Sequence, residues 1–289
     1  MKHKCIIYIA IIAILFVSSF LCYNTYSKYL IKDSKEVSSF KKENKNLKLE
    51  NSDYKKCADM LMNYQNKELK IPILMYHYIE DKTGDRYAEL GVPKDKFEKE
   101  MQIVKDSGYT PVSLDELYDF MENKKPFACK PILITMDDGY EDFYKNAYPV
   151  LKKFNFKATV FQITDVIDGP AYLTKGQIVE LSKSGIVDVE SHTGSHKELA
   201  TLSYDKQYDE LKRSKEKLEK ITGKKIYYIA YPSGSYNSDT LKAAKELGYR
   251  LALTTKEGFA SKEDSFYELK RIYISNKYDL NQFKKIINY

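Results

Sequence analysis

The sequence predicts an α/β fold: a parallel sheet covered by helices, whose roughly seven strand–helix repeats suggest closure into a barrel. Two observations carry this. From Ile71 onward, short apolar runs alternate with helical patterns, and several of the helices stop at a glycine (Gly108, Gly185, Gly223, Gly248), as helix C-caps do. The polar residues with chemical potential also collect just after the strands: His77, Asp137 and Asp138, His192 to His196, and Tyr231 to Tyr236. In parallel barrels the reactive groups sit at the carboxyl ends of the strands.

Taken in order, the chain opens with an appendage. Residues 1–71 contain neither Gly nor Pro, and the first of each are Gly84 and Pro72. Charge divides at the same place: up to Lys70 there are 13 Lys against 7 acidic residues, and the rest holds 34 basic and 34 acidic. The net +6 therefore belongs to the N-terminal segment. A neutral domain offers no strongly basic footprint, so no nucleic-acid partner is expected. Residues 5–23 carry no charge, enough for a helix across a bilayer; a cleavable signal peptide is the rival reading. No small-x-small cleavage site follows the run, which favours an uncleaved anchor. The expected parts are a cytoplasmic tip and anchor (1–25), a stalk (26–70) and a catalytic domain (71–289). In the stalk Phe40, Leu47, Tyr54 and Leu61 recur every seven residues, hinting at a weak coiled coil. Asn44 and Asn51 in the second row favour a solvated spacer instead. No oligomeric state follows from this. Cys57 and Cys129, in different regions, make no disulfide framework, and no CxxC offers a thiolate metal site.

Within the domain, strands are expected at 71–79, 110–114, 131–136, 158–164, 187–191, 226–231 and 251–255. Helices are expected at 94–107, 115–123, 140–155, 175–184, 204–221 and 239–247. The strand at 131–136 ends in Asp137-Asp138-Gly139. Successive strand side chains face opposite ways, so two adjacent carboxylates can share a site only where the strand breaks, and Gly139 permits a break. The pair then reads as one metal ligand and one base. The alternative is one helix cap and one solvated carboxylate. After the strand at 187–191 comes Ser191-His192-Thr193-Gly194-Ser195-His196, with two imidazoles four residues apart that can share one metal ion. With Thr at 193 the motif lacks a metalloprotease's own base, so a base must come from elsewhere. Of the four His, three fall at strand ends, which favours a metal site over surface loop residues.

These motifs carry a resemblance. Thr135-Met136-Asp137-Asp138-Gly139, then His192 to His196, then Ala230-Tyr231-Pro232-Ser233-Gly234-Ser235-Tyr236-Asn237 resemble, in order and spacing, the three signature motifs of the polysaccharide deacetylases, the NodB-homology carbohydrate esterases. The likeness spans roughly residues 71–289. It implies a distorted (β/α)7 barrel and a hydrolase removing N- or O-acetyl groups from polysaccharide. It also implies a divalent metal, usually zinc, held by Asp138, His192 and His196, with Asp137 as general base and a backbone N–H near Ser233 as oxyanion donor. Two departures stand out. The third motif commonly begins with an Arg that orients the base, and here that residue is Ala230; the late catalytic His is also absent. Pro72 to His77 is similar to the early strand from which the poly-N-acetylglucosamine deacetylase branch supplies its acid, so His77 is the expected general acid. Its alternative is a cap on the first strand. Arg271, in Leu269-Lys270-Arg271-Ile272, is the candidate for the orienting role, with a surface ion pair as the alternative.

Of the 26 Tyr, those beside the motifs (Tyr140, Tyr231 and Tyr236) are candidates to contact sugar. The reading is then a metal-dependent N-deacetylase of N-acetylglucosamine-containing polysaccharide, poly-N-acetylglucosamine or peptidoglycan. It would be held by a single membrane span with its domain on the extracellular side. A silent glycan-binding protein and an O-acetyl or xylan esterase are the alternatives.

Overall fold

The computed structural model describes residues 69–288, apart from residues 83, 85–87, 124, 126 and 128–129. The expected anchor and the stalk's heptad rows lie outside the described residues. Among the described residues, no helix is long and apolar enough to cross a membrane.

The strands are β1 (Ile73–Tyr76), β2 (Tyr109–Pro111), β3 (Lys130–Met136), β4 (Ala158–Gln162), β5 (Val187–Ser191), β6 (Tyr228–Ala230), β7 (Leu251–Glu257) and β8 (Leu269–Tyr273). Every pairing between them is parallel. β1 pairs with both β3 and β8, which closes β1, β3, β4, β5, β6, β7 and β8 into a seven-stranded barrel. β2 lies outside the ring, paired with the first residues of β3 below the point where β1 joins. The helices are α1 (Lys94–Asp106), α2 (Leu114–Asn123), α3 (Tyr148–Phe154), α4 (Lys175–Lys183), α5 (Tyr204–Thr222), α6 (Ser238–Glu246) and α7 (Leu280–Ile286).

The count of seven was legible, but not which seven. The segment at 110–114 is the appended strand, and β8, absent from the expected strands, completes the ring. β8 escapes a periodicity reading because one of its buried residues is charged: Arg271 stands where an apolar residue would mark the pattern. The helix expected at 140–155 is broken. A π turn at Phe143–Ala147 precedes α3, whose Pro149 has no N–H to bond the carbonyl of Lys145.

Two apolar clusters divide the strand residues by parity. Leu74, Tyr76, Ile132, Ile134, Met136, Val187 and Val189 pack with the helices, whereas Ile73, Leu133, Phe161, Leu253 and Leu269 form the other cluster, with α2. The second set points into the barrel. Continuing its period of two past the strand ends carries His77, Asp137 and, by the alternation of β5, His192 toward the same mouth.

Candidate active site

Asp137 follows β3 in strand register, its N–H donating to the carbonyl of Tyr76 (3.0 Å). Parity alone would send Asp138 the other way. It does not, because Asp138 and Gly139 adopt φ of 72° and 76°, which turns the chain and brings the second carboxylate to the same side. Left-handed geometry costs a non-glycine residue on the order of 1–3 kcal/mol, and such strain concentrates at functional sites. At Gly139 a side chain is excluded twice over. Its φ is positive, and a Cβ would lie 2.0 Å from Gln162 Oε1.

Asp138, His192 and His196 each offer a ligand atom, and those atoms all lie within 4.8 Å of one another. Both imidazole Nε2 atoms are 3.3 Å from Asp138 Oδ1. Two ligands each about 2.1 Å from one ion would span that separation near the tetrahedral angle. His192 Nδ1 lies 2.8 Å from the carbonyl oxygen of Ala230. A carbonyl only accepts, so Nδ1 carries the proton and a neutral ring presents its Nε2 lone pair to the site. Asp138 Oδ1 is buried without a hydrogen-bond partner. An orphaned carboxylate oxygen facing two imidazole nitrogens fits a divalent cation and has no other evident use.

Beside this trio stands a fully buried ion pair. Arg271 Nη1 and Nη2 donate to Asp137 Oδ1 and Oδ2, each at 2.7 Å, and Nε donates to the carbonyl of Thr254 at 2.8 Å. The fork fits the carboxylate bidentately, which fixes its orientation as well as its charge. Burial pushes the Asp137 pKa up, but the Arg271 guanidinium and the neighbouring His192 outweigh it and hold Asp137 below the usual carboxylate range. The surface-pair alternative for Arg271 does not hold. Burial lowers the His77 pKa, and the pull of Asp137 and Asp138 offsets only part of that. Its Nδ1 is buried without a partner.

The expected sugar contacts fare unevenly. Tyr231 is fully buried in the core and has no surface for a glycan; its ring stacks on Tyr236, centroids 5.2 Å apart. Tyr236 is half-exposed and donates to Glu268 at 2.6 Å. Tyr140 stacks on Tyr78 at 3.8 Å and on Tyr172 at 5.1 Å, so a sugar would meet an aromatic cluster rather than a lone ring. Ser233 is exposed, with φ 53°, in a turn where the N–H groups of Tyr231, Gly234 and Ser235 are already donated to the carbonyls of Leu253, Tyr231 and Pro232. Two supports had no signal in the sequence: the Ala230 carbonyl that orients His192, and the Gln162 side chain packed against Gly139. Both act through tertiary neighbours that no local motif marks.

Comparison with known proteins agrees with this geometry. The family profile described as "Polysaccharide deacetylase" matches residues 124–252. YxkH of Bacillus subtilis, named for the same family, is 40% identical over 209 residues, covering 72% of this chain and 73% of its own. The poly-β-1,6-N-acetyl-D-glucosamine N-deacetylase of Staphylococcus epidermidis is 29% identical over 248 residues, 81% of this chain and 83% of that one. Among solved structures, the Streptococcus pyogenes deacetylase PplD in complex with acetate superposes with a TM-score of 0.71 at 37% identity, covering 76% of this chain and 99% of that one.

Proposed function

This chain belongs to the polysaccharide deacetylase family, and from that premise we propose that it hydrolyses N-acetyl groups of N-acetylglucosamine in a cell-surface glycan. The observation that carries the reading is the convergence of Asp138, His192 and His196 beside an Asp137 locked in place by Arg271. A divalent cation held by the trio, zinc by its nitrogen-and-oxygen donor set, supplies a Lewis acid for the acetyl carbonyl and lowers the pKa of a nearby water.

The protein's own residues do the rest. Asp137, ionised and fixed by Arg271, takes the proton of the attacking water as its oxygen adds to the acetyl carbon. Its low pKa makes the proton transient, ready to be passed on. The backbone N–H of Ser233 donates to the developing oxyanion. His77, neutral in the resting site, gains proton affinity as that negative charge builds. It accepts the proton that Asp137 took from the water and delivers it to the leaving nitrogen, so that the C–N bond breaks to acetate and a free amine. Tyr140 and Tyr236 border the sugar. Two supports favour an extracellular glycan: the uncharged run at 5–23, which would tether the domain to the outer face of the membrane, and the substrate for which the staphylococcal relative is named.

Acetate release from poly-β-1,6-N-acetylglucosamine and from peptidoglycan, measured side by side on the full chain, tests the substrate. Release from at least one is expected. Release from neither, with acetylated xylan cleaved instead, would replace the amide substrate by an ester.

A further inference from the structure

The loop that carries the second imidazole is strained. Thr193 and His196 both sit at positive φ, 65° and 58°, and neither is a glycine. Within the loop, the N–H of His196 donates to Thr193 Oγ1 at 3.2 Å. Something outside the loop must hold the rest of it. Glu210, buried on α5, accepts from both donors of Ser195: the N–H to Oε2 and the hydroxyl to Oε1, each at 2.8 Å. Arg213, one turn further along α5, donates to Glu210 Oε1 and to Asp165 Oδ1, both at 2.5 Å. The N–H of Asp165 returns to the loop at the carbonyl of Gly194, 2.9 Å away. Gly194 itself lies against that guanidinium; a Cβ there would fall 2.0 Å from Arg213 Cζ. The circuit from α5 to the loop and back is thus closed.

We propose that Glu210 is the positioning residue for His196: its bidentate grip on Ser195 sets the loop conformation that aims the imidazole at Asp138. His192 has its own anchor at the Ala230 carbonyl, buried beneath the mouth, whereas His196 is half-exposed and reaches the site only through this loop. A carboxylate suits the task because one group satisfies an N–H and an O–H on the same residue while staying paired with Arg213. The inference rests on the reading that Asp138, His192 and His196 hold a metal.

The test is zinc affinity of the metal-stripped full chain, by competition with a chromophoric chelator, alongside the thermal midpoint of the same metal-free protein. Removing a group that orients a metal ligand typically weakens binding about tenfold to hundredfold, and that loss is expected for Glu210→Ala. Ser195→Ala deletes one of the two bonds to the carboxylate and should weaken zinc about tenfold. The double variant should bind no worse than Glu210→Ala, because both changes cut the same grip. A purely structural role would lower the metal-free midpoint and leave the affinity of the folded protein alone. If folded Glu210→Ala and Ser195→Ala both hold zinc within twofold of the parent, the proposal is wrong; should Glu210→Ala not fold, Ser195→Ala decides. A parent that binds no zinc would instead overturn the metal-site reading, and this inference with it.

Discussion

Replacing Arg271 by Met keeps the side chain's bulk and removes its charge and its hydrogen bonds. Asp137 is 3% exposed and Arg271 not at all, so the variant leaves a buried carboxylate without its guanidinium partner. Breaking such a pair from one side costs about 3–5 kcal/mol. For a domain of this size that lowers the unfolding midpoint by roughly 10 °C. The pH dependence gives the sharper signature. In the parent, the Asp137 pKa is depressed below 3.8, so the stability of the pair is present above that value and is lost only as pH falls through the folded pKa. In the variant the guanidinium no longer opposes burial and only the weaker pull of His192 and His77 remains, so the pKa rises, and stability is highest in acid and falls as pH rises. The gap in midpoint should therefore be widest near neutral pH and narrow on acidification. Adding Asp137→Asn to Arg271→Met should recover part of the loss at neutral pH, because the orphaned charge is gone. Turnover should drop about hundredfold as the base loses its fixed geometry. The assay is thermal unfolding across pH together with acetate release. A midpoint within about 2 °C of the parent, or a gap that does not change with pH, would refute the argument.

Two further outcomes follow from the same geometry. His77→Ala should lower kcat on N-acetyl glycans by about 10²–10⁴-fold while zinc affinity stays at the parental level, and hydrolysis of an aryl acetate, whose leaving group needs no proton, should fall far less. Equal losses on both substrates would remove His77 from the acid role. Glu100, buried on α1, accepts from the Tyr76 hydroxyl at 2.9 Å, while its other oxygen has no partner, and burial pushes its pKa up to about 7. A raised folded pKa means that its protonated form stabilises the fold fully below the ordinary value of 4.5, a contribution lost as pH rises through 7. Glu100→Gln should gain on the parent by about 3 kcal/mol between pH 4.5 and pH 8, read by denaturant unfolding. A difference that stays constant with pH would contradict the assignment.

Much of the site was legible because its chemistry is local in sequence. Asp137-Asp138-Gly139 announced a strand that must break, and the left-handed turn at Asp138 is that break. His192 and His196 announced a shared ligand set, and their nitrogens meet at one carboxylate oxygen. The rest depends on the closing of the ring. Arg271 lies 134 residues from Asp137, and only β8, joining β1, brings the two into contact. The charge that gives Arg271 its role also hid its strand from an apolar pattern. Tyr231 misled for the converse reason. It sits beside a motif, yet its register turns it into the core, where an aromatic ring serves packing. Glu210 belongs to a helix whose surface is crowded with charge, and nothing in its neighbours sets it apart from the solvated carboxylates around it.

The most direct measurement is acetate release from N-acetylglucosamine oligomers by the full chain, stripped of metal and reloaded with zinc, with Asp137→Asn beside it. Release should require the metal, and Asp137→Asn should lose at least about 10²-fold in turnover while binding zinc as the parent does. Release that persists after the metal is stripped, or an Asp137→Asn variant that turns over at the parental rate, would contradict metal-dependent deacetylation with Asp137 as the base.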